Sequence, residues 1–226
     1  PTQFNNAEDL KKYPRDLQKD TSLLEKLGVH FVFAPAPEEM YSKEEMETAF
    51  EFDFNGLDEV MEGKMRPGHF NGVVQVVSRL FDFIQPTRAY FGEKDFQQLA
   101  IIRHMVERSS MAERYTGLQI IGCPIVREQS GLAMSSRNER LSSQEKQTAI
   151  AISQTLFSSV EWAKSATVEE VQQRVIDTIN AVQGLEVEYY NIVDKTTLKP
   201  TNTFHNAVGC VTVYCGPVRL IDNIQY

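Results

Sequence analysis

Lys94 and the trio Ser135, Ser136 and Arg137 are the residues of this chain best suited to holding a polyphosphate. Lys94 belongs to the stretch Gly92, Glu93, Lys94, Asp95, which opens a predicted helix directly after a short predicted strand. In open α/β sheets that carboxyl-end crevice is where ligands gather, and free amides at a helix start favour anions. Gly92 lets a ligand come close to the backbone, Lys94 adds a mobile charge, and Asp95 can accept hydrogen bonds from a ribose. Downstream, Met134, Ser135, Ser136 and Arg137 follow a turn at Gly131. Their hydroxyls and guanidinium fork suit triphosphate oxygens and the charge that moves onto a pyrophosphate leaving group. Each stretch also has a plain reading: a glycine turn with a solvated ion pair, and a helix cap with an exposed arginine. Found together, they point to an enzyme that handles ATP.

Other groups have weaker claims. Gln97 and Gln98 fall in the first turn of the helix after Lys94, where amides usually face solvent or cap. A glutamine turned into the crevice would instead hydrogen-bond a polar substrate. Lys64, Arg66 and His69 flank Pro67 and Gly68 in a predicted flexible loop, either an ordinary basic surface loop or a lid facing phosphate or carboxylate. His104 is expected on a polar helix face, and His30 and His205 in packing or loop positions. The four histidines lack metal-ligand spacing.

The elements that must position these residues are legible from periodicity. A helix is expected beyond Pro14, with Leu17, Leu24 and Leu27 on one face and Gly28 as its stop. Strands are expected at 29–33 and 48–54. Val73, Val76, Val77, Leu80, Phe81 and Ile84 form a core-facing helical stripe that ends before Pro86. A strand at 88–91, a helix burying Phe96, Leu99, Ile102 and Val106, and a strand at 119–122 follow. This succession predicts a parallel sheet wrapped by helices. Residues 107–117 are expected to form a surface loop, and residues 124–131 a hinge. After Asn138 the pattern changes. Capping boxes at Ser142/Glu145 and Thr167/Glu170 open two amphipathic helices, and strands are expected at 187–193, 208–215 and 218–221. The chain is therefore read as α/β, with a Rossmann-like unit over 1–125 and a smaller α+β unit over 126–226.

Composition sets outer limits. A net charge of −8 over 226 residues argues against general nucleic-acid or anionic-membrane binding, and no apolar run reaches membrane-span length. The three cysteines, Cys123, Cys210 and Cys215, form no CxxC pair. They read as reduced residues of a cytoplasmic protein.

Taken in order, several motifs carry a resemblance. They are Pro1-Thr-Gln-Phe-Asn-Asn6, Tyr13-Pro-Arg15, Arg66-Pro-Gly-His-Phe70, Ala89-Tyr-Phe-Gly-Glu-Lys-Asp-Phe-Gln-Gln98, Gly131-Leu-Ala-Met-Ser-Ser-Arg-Asn138 and Leu220-Ile-Asp-Asn-Ile224. Together the chain resembles the pantothenate synthetase (pantoate–β-alanine ligase) family over essentially its whole length. The resemblance implies a Rossmann-like nucleotidyltransferase domain with a C-terminal lid, a homodimer, and Mg²⁺ accompanying ATP. It also implies a two-step reaction: pantoate's carboxylate attacks the α-phosphate to give pantoyl adenylate, and the amine of β-alanine then displaces AMP.

By the same resemblance, Gln3 and Gln98 bind pantoate, Gln3 also bordering the β-alanine position. Gly92 through Asp95, Val126, and Met134 through Arg137 bind ATP. Tyr13 and His69 line the pocket, and Asp20 is a weaker candidate for the Mg²⁺ environment. The family's first strand and its His-x-Gly-His helix start are absent upstream of Pro1. The polypeptide is accordingly expected to extend further, and the chain as written to adenylate pantoate poorly. The alternatives are an adenylate-forming enzyme for a different small acid, or a nucleotide-binding fragment without catalysis.

Overall fold

This computed structural model describes residues 16–48 and 50–226. Helix α1 (Leu17–Lys26) starts at Asp16, whose carboxylate accepts the Lys19 amide at 2.9 Å. Its leucines do not form a buried face: Leu17, Leu23 and Leu27 are all exposed. Residues 29–33, expected as a strand, form none, and Phe31 is 92% exposed. A strand needs a neighbour's amides and carbonyls as well as apolar side chains, and no described segment pairs with this one.

The short helices α2 (Pro37–Met40) and α3 (Lys43–Glu47) follow. The second expected strand, 48–54, is irregular as far as it is described. Its aromatic residues are used as plugs instead: the Phe52 ring meets Phe54 and His104 edge-on, and the Phe52 amide donates to Asn71. His104, expected on an open polar face, is therefore partly covered, with Nε2 3.1 Å from the Asp53 carbonyl.

The stretch around Lys64, Arg66 and His69, expected as a flexible loop, is largely helical, containing α4 (Met61–Met65) and the start of α5 (His69–Ile84). Helix α5 buries Phe70, Val73, Val74 and Phe81, but Ile84 is exposed, because its last turn runs past the packed region. Strand β1 (Arg88–Gly92), a 3₁₀ turn (Glu93–Asp95), helix α6 (Phe96–Glu107) and strand β2 (Gln119–Cys123) form the parallel unit. The two strands pair from Arg88 with Gln119 to Gly92 with Cys123. The intervening 107–117 connection is more than a surface loop, since its 3₁₀ turn (Ala112–Tyr115) buries Tyr115.

A further 3₁₀ turn (Ser136–Arg140) leads into α7 (Ser143–Trp162) and α8 (Val168–Asn180). Both predicted capping boxes form. Ser142 and Thr167 accept the amides of Glu145 and Glu170, whose carboxylates accept the cap amides in return. Strands β3 (Leu185–Asp194), β4 (Ala207–Cys215) and β5 (Val218–Gln225) make an antiparallel sheet in that order.

Strand side chains alternate between faces, and here each face meets a different core. Val211, Val213, Cys215, Val218 and Leu220 pack with Leu156, Val171, Val175 and Ile179 of α7 and α8. Val193, Val208 and Cys210 pack on the other side with Phe70, Val74, Ile101, Ile102 and Met105. The C-terminal sheet is thus a wall shared by both parts of the chain.

Candidate active site

Three separate stretches of sequence meet in one cleft against that wall. Its lining includes Arg66 and His69 from the α4–α5 corner, Lys94, Asp95 and Gln98 from the β1–α6 junction, and Arg137 from the third 3₁₀ turn. A continuation shares Lys94 and Arg137 and adds Ser135 and Asn138. Lys94 and Arg137 form no ion pair among the described residues, so both charges are available to an anion.

The predicted residues do not all play equal parts. Gly92 has ordinary extended backbone, and its missing Cβ would stand in open space. Nothing in the surrounding protein therefore demands glycine. Gly131 does require a left-handed conformation, at φ +94°. It closes a loop in which Arg127 pairs with Ala133 and the Met134 amide donates to the Val126 carbonyl. Val126 and Met134 themselves are exposed, as is Ser136. Ser135 also caps its turn by accepting the Arg137 amide at 3.2 Å, so part of the plain reading holds as well. Residues 124–131, read as a hinge, are anchored at Arg127.

The two glutamines divide. Both border the cleft, but Gln98 is half-buried whereas Gln97 is fully buried and tied to the protein. Its Nε2 donates to the Leu57 and Val60 carbonyls and its Oε1 accepts the Glu62 amide. Of the basic loop, Lys64 points to solvent while Arg66 and His69 turn inward. The Arg66 guanidinium lies 3.3 Å from His69 Nε2, which must be the unprotonated ring nitrogen because arginine can only donate. Asp20 stands on an exposed turn of α1. Gln3 and Tyr13 lie outside the described residues.

Several residues on the wall were missed by sequence reasoning. Glu62 lines the cleft and receives both nitrogens of the Arg219 fork at 2.7 Å, with Tyr189 at 2.7 Å and Thr212 at 3.0 Å. Burial raises the Glu62 carboxyl, but hydrogen bonds and charge from Arg219, with Tyr189 and Thr212, outweigh it and hold it at about 2. Arg219 is correspondingly held charged, and Glu188 accepts its Nε at 2.9 Å. Burial, then the neighbouring charges of Arg137 and Arg219, lower Arg66 against the support of Glu62. The cleft is therefore lined by charges of both signs, Arg66, Lys94 and Arg137 beside Glu62, Asp95 and Asp222. Burial also raises the Cys210 thiol to about 12, with help from Glu62 and Asp222, so it is inert. Asp222 and Asn223, quoted above only as part of a motif, are both buried and hydrogen-bonded to the loops of the cleft.

A family model described as pantoate-beta-alanine ligase matches residues 1–225. The pantothenate synthetase of Phocaeicola vulgatus is 57% identical, across this whole chain and 79% of its own length. That of Porphyromonas gingivalis is 48% identical with the same coverage. Among solved structures, pantothenate synthetase from Thermus thermophilus superposes with a TM-score of 0.90 at 39% identity, over all of this chain and 80% of that one. A pantoate-beta-alanine ligase from Francisella tularensis, complexed with beta-gamma ATP and beta-alanine, gives 0.76 at 33% identity, over all of this chain and 76% of that one.

Proposed function

The chain belongs to the pantoate-beta-alanine ligase family, and from that premise we propose how its cleft performs the reaction. The chemistry is the ATP-dependent joining of pantoate to β-alanine in pantothenate biosynthesis. In the first step pantoate's carboxylate attacks the α-phosphorus, forming pantoyl adenylate and expelling pyrophosphate. In the second, the amine of β-alanine attacks the activated carbonyl, forming the amide and releasing AMP.

The observation that carries this reading is the convergence of Lys94, Gln98 and Arg137 on one cleft. Lys94, Ser135, Ser136 and Arg137 offset charge as it shifts onto the leaving pyrophosphate. Fixed donors of this kind are worth about 10²–10³ in rate each. Gly92 through Asp95, with Val126 and Met134, make the nucleotide-facing segments. Gln98 orients pantoate through a neutral amide, His69 borders it, and Gln3 and Tyr13 complete the acid pocket.

Mg²⁺ enters with the nucleotide in this reading. It binds chiefly through phosphate oxygens and water plus one or two carboxylates, so it needs no three-ligand cluster, and there is none among the described residues. Asp95, on the cleft wall, is the carboxylate best placed to share it, ahead of Asp20, and the ion would neutralise phosphate charge. We further propose a homodimer in the cytoplasm. The free state of Cys123, Cys210 and Cys215 supports a reducing compartment. Among the described residues no helix is long and apolar enough to cross a membrane.

The test is to follow pyrophosphate, AMP and pantothenate with ATP, Mg²⁺, pantoate and β-alanine. Pantoate-dependent pyrophosphate release supports the reading. Release with another small acid and none with pantoate overturns it.

A further inference from the structure

Strand β5 carries two adjacent polar residues, Asp222 and Asn223, that are 5% and 2% exposed. Neighbouring strand residues point to opposite faces, so this pair reaches in two directions from one place. Asn223 lies on the face shared with Arg219 and Gln225, toward the β1–α6 junction. Its Nδ2 donates to the Glu93 carbonyl at 2.8 Å and to the Lys94 carbonyl at 3.0 Å. Both hydrogens of the amide are thereby used on successive carbonyls of the turn that presents Lys94. On the same face Gln225 donates to the Glu93 carboxylate at 3.0 Å.

Asp222 lies on the opposite face, toward the loop that precedes Ser135. Its two oxygens accept Arg127 Nη1 at 2.6 Å and Nη2 at 3.0 Å, and Nη1 also donates to the Gly131 carbonyl at 3.1 Å. Arg127 pairs in turn with Ala133, so the carboxylate grips the loop at its base and at its glycine turn. One Asp222 oxygen also accepts the backbone amide of Asn223 at 2.8 Å, which fixes the carboxylate against the main chain of its own strand.

We propose that Asp222 and Asn223 are positioning residues for adenylation: Asn223 fixes the Lys94 turn, and Asp222, through Arg127, fixes the loop leading to Ser135 and Arg137. The spacing between the two halves of the phosphate grip is then set by one dipeptide. This rests on reading the cleft as the ATP site. Both residues border the cleft, and in this scheme each acts through the loop it holds. Asparagine is the residue that fits at 223, because an aspartate of the same shape would turn an acceptor toward two carbonyls.

The experiment compares Asn223→Ala and Asn223→Asp with the unaltered protein, alone and combined with Lys94→Ala. In pantoate-dependent pyrophosphate release, kcat should fall about 10- to 100-fold while KM for ATP moves less than about threefold. In the Lys94→Ala background the same Asn223 change should cost less than about threefold, since residues acting as one unit are non-additive. Equal losses in both backgrounds overturn the proposal and leave Asn223 a general structural residue.

Amide hydrogen exchange in the absence of substrates gives a second readout that needs no activity. Residues 93–97 should exchange at least about tenfold faster in Asn223→Ala, with α8 unchanged. Unaltered exchange at 93–97 overturns the proposal whatever the protein makes. A lack of pantoate-dependent pyrophosphate release by the unaltered full-length protein overturns the functional reading instead, and the exchange data still decide the positioning role.

Discussion

Glu62 and Arg219 meet fork to fork, each guanidinium nitrogen 2.7 Å from a different carboxylate oxygen, although 157 residues separate them. This is the most direct link between the α4–α5 corner and the C-terminal sheet, and both side chains are largely buried. Buried pairs are held by geometry and by satisfaction of their remaining valences. Tyr189, Thr212 and Glu188 supply that satisfaction here.

The pair makes stability pH-dependent. Glu62 sits at about 2 in the folded protein against an ordinary 4.5, which corresponds to about 3 kcal/mol. Because the folded value is depressed, this contribution is complete above about pH 4.5 and is lost as pH falls toward 2. Glu62→Gln should be less stable at pH 7 yet flatter between pH 5 and 3. Urea midpoints at those values test it, and parallel losses in both proteins would refute the assignment.

Asp222 and Arg127 should behave as a unit. Removing one partner strands a buried charge, so Arg127→Ala should cost about 3–5 kcal/mol. Arg127→Met with Asp222→Leu should recover much of that loss in thermal melts. A double variant as unstable as the sum of the singles would show that the two do not act together.

Gln97 and Gln98 are adjacent in sequence and should fail in opposite ways. Gln97→Ala leaves the Leu57 carbonyl and the Glu62 amide unpaired and takes one of two donors from the Val60 carbonyl, so about 2–3 kcal/mol of stability should disappear. Its KM for pantoate should stay near normal. Gln98→Ala should melt normally and raise that KM about tenfold. Swapped phenotypes would exclude these roles.

Lys94→Ala should slow adenylation by about 100-fold or more while barely moving the melting temperature, because the side chain faces a cleft and forms no ion pair among the described residues. A drop of many degrees in Tm with little change in rate would mean that Lys94 supports the fold.

Features encoded by near neighbours were readable in advance. Ser142 and Glu145, or Thr167 and Glu170, lie three residues apart and need only each other to start a helix. The β1–α6 junction and the Gly131 turn were legible for the same reason. Features that need a distant partner were not. Residues 29–33 have the composition of a strand but no described ladder to join. Nothing near Glu62 in the sequence announces Arg219 as its partner, and Gln97 reads as a solvent-facing amide until residues 57–62 fold over it. Asp222 and Asn223 did leave a signal, two polar residues within an apolar strand, though their partners could not be read from it.

The alternation along β5 has a consequence for how this chain can vary. A two-residue connection, Gly216 and Pro217, separates β4 from β5, and the strands pair from Cys215 with Val218 outward. Adding or deleting one residue there would slip the register and turn every β5 side chain to the opposite face. Asn223 would then point toward α7 and Asp222 toward the Lys94 turn, releasing both loops at once although every residue of the cleft remained in the chain. The length of this hairpin should therefore tolerate change less well than the identity of most exposed residues around the site, and a library of single-residue insertions scored for pantothenate formation would display that intolerance.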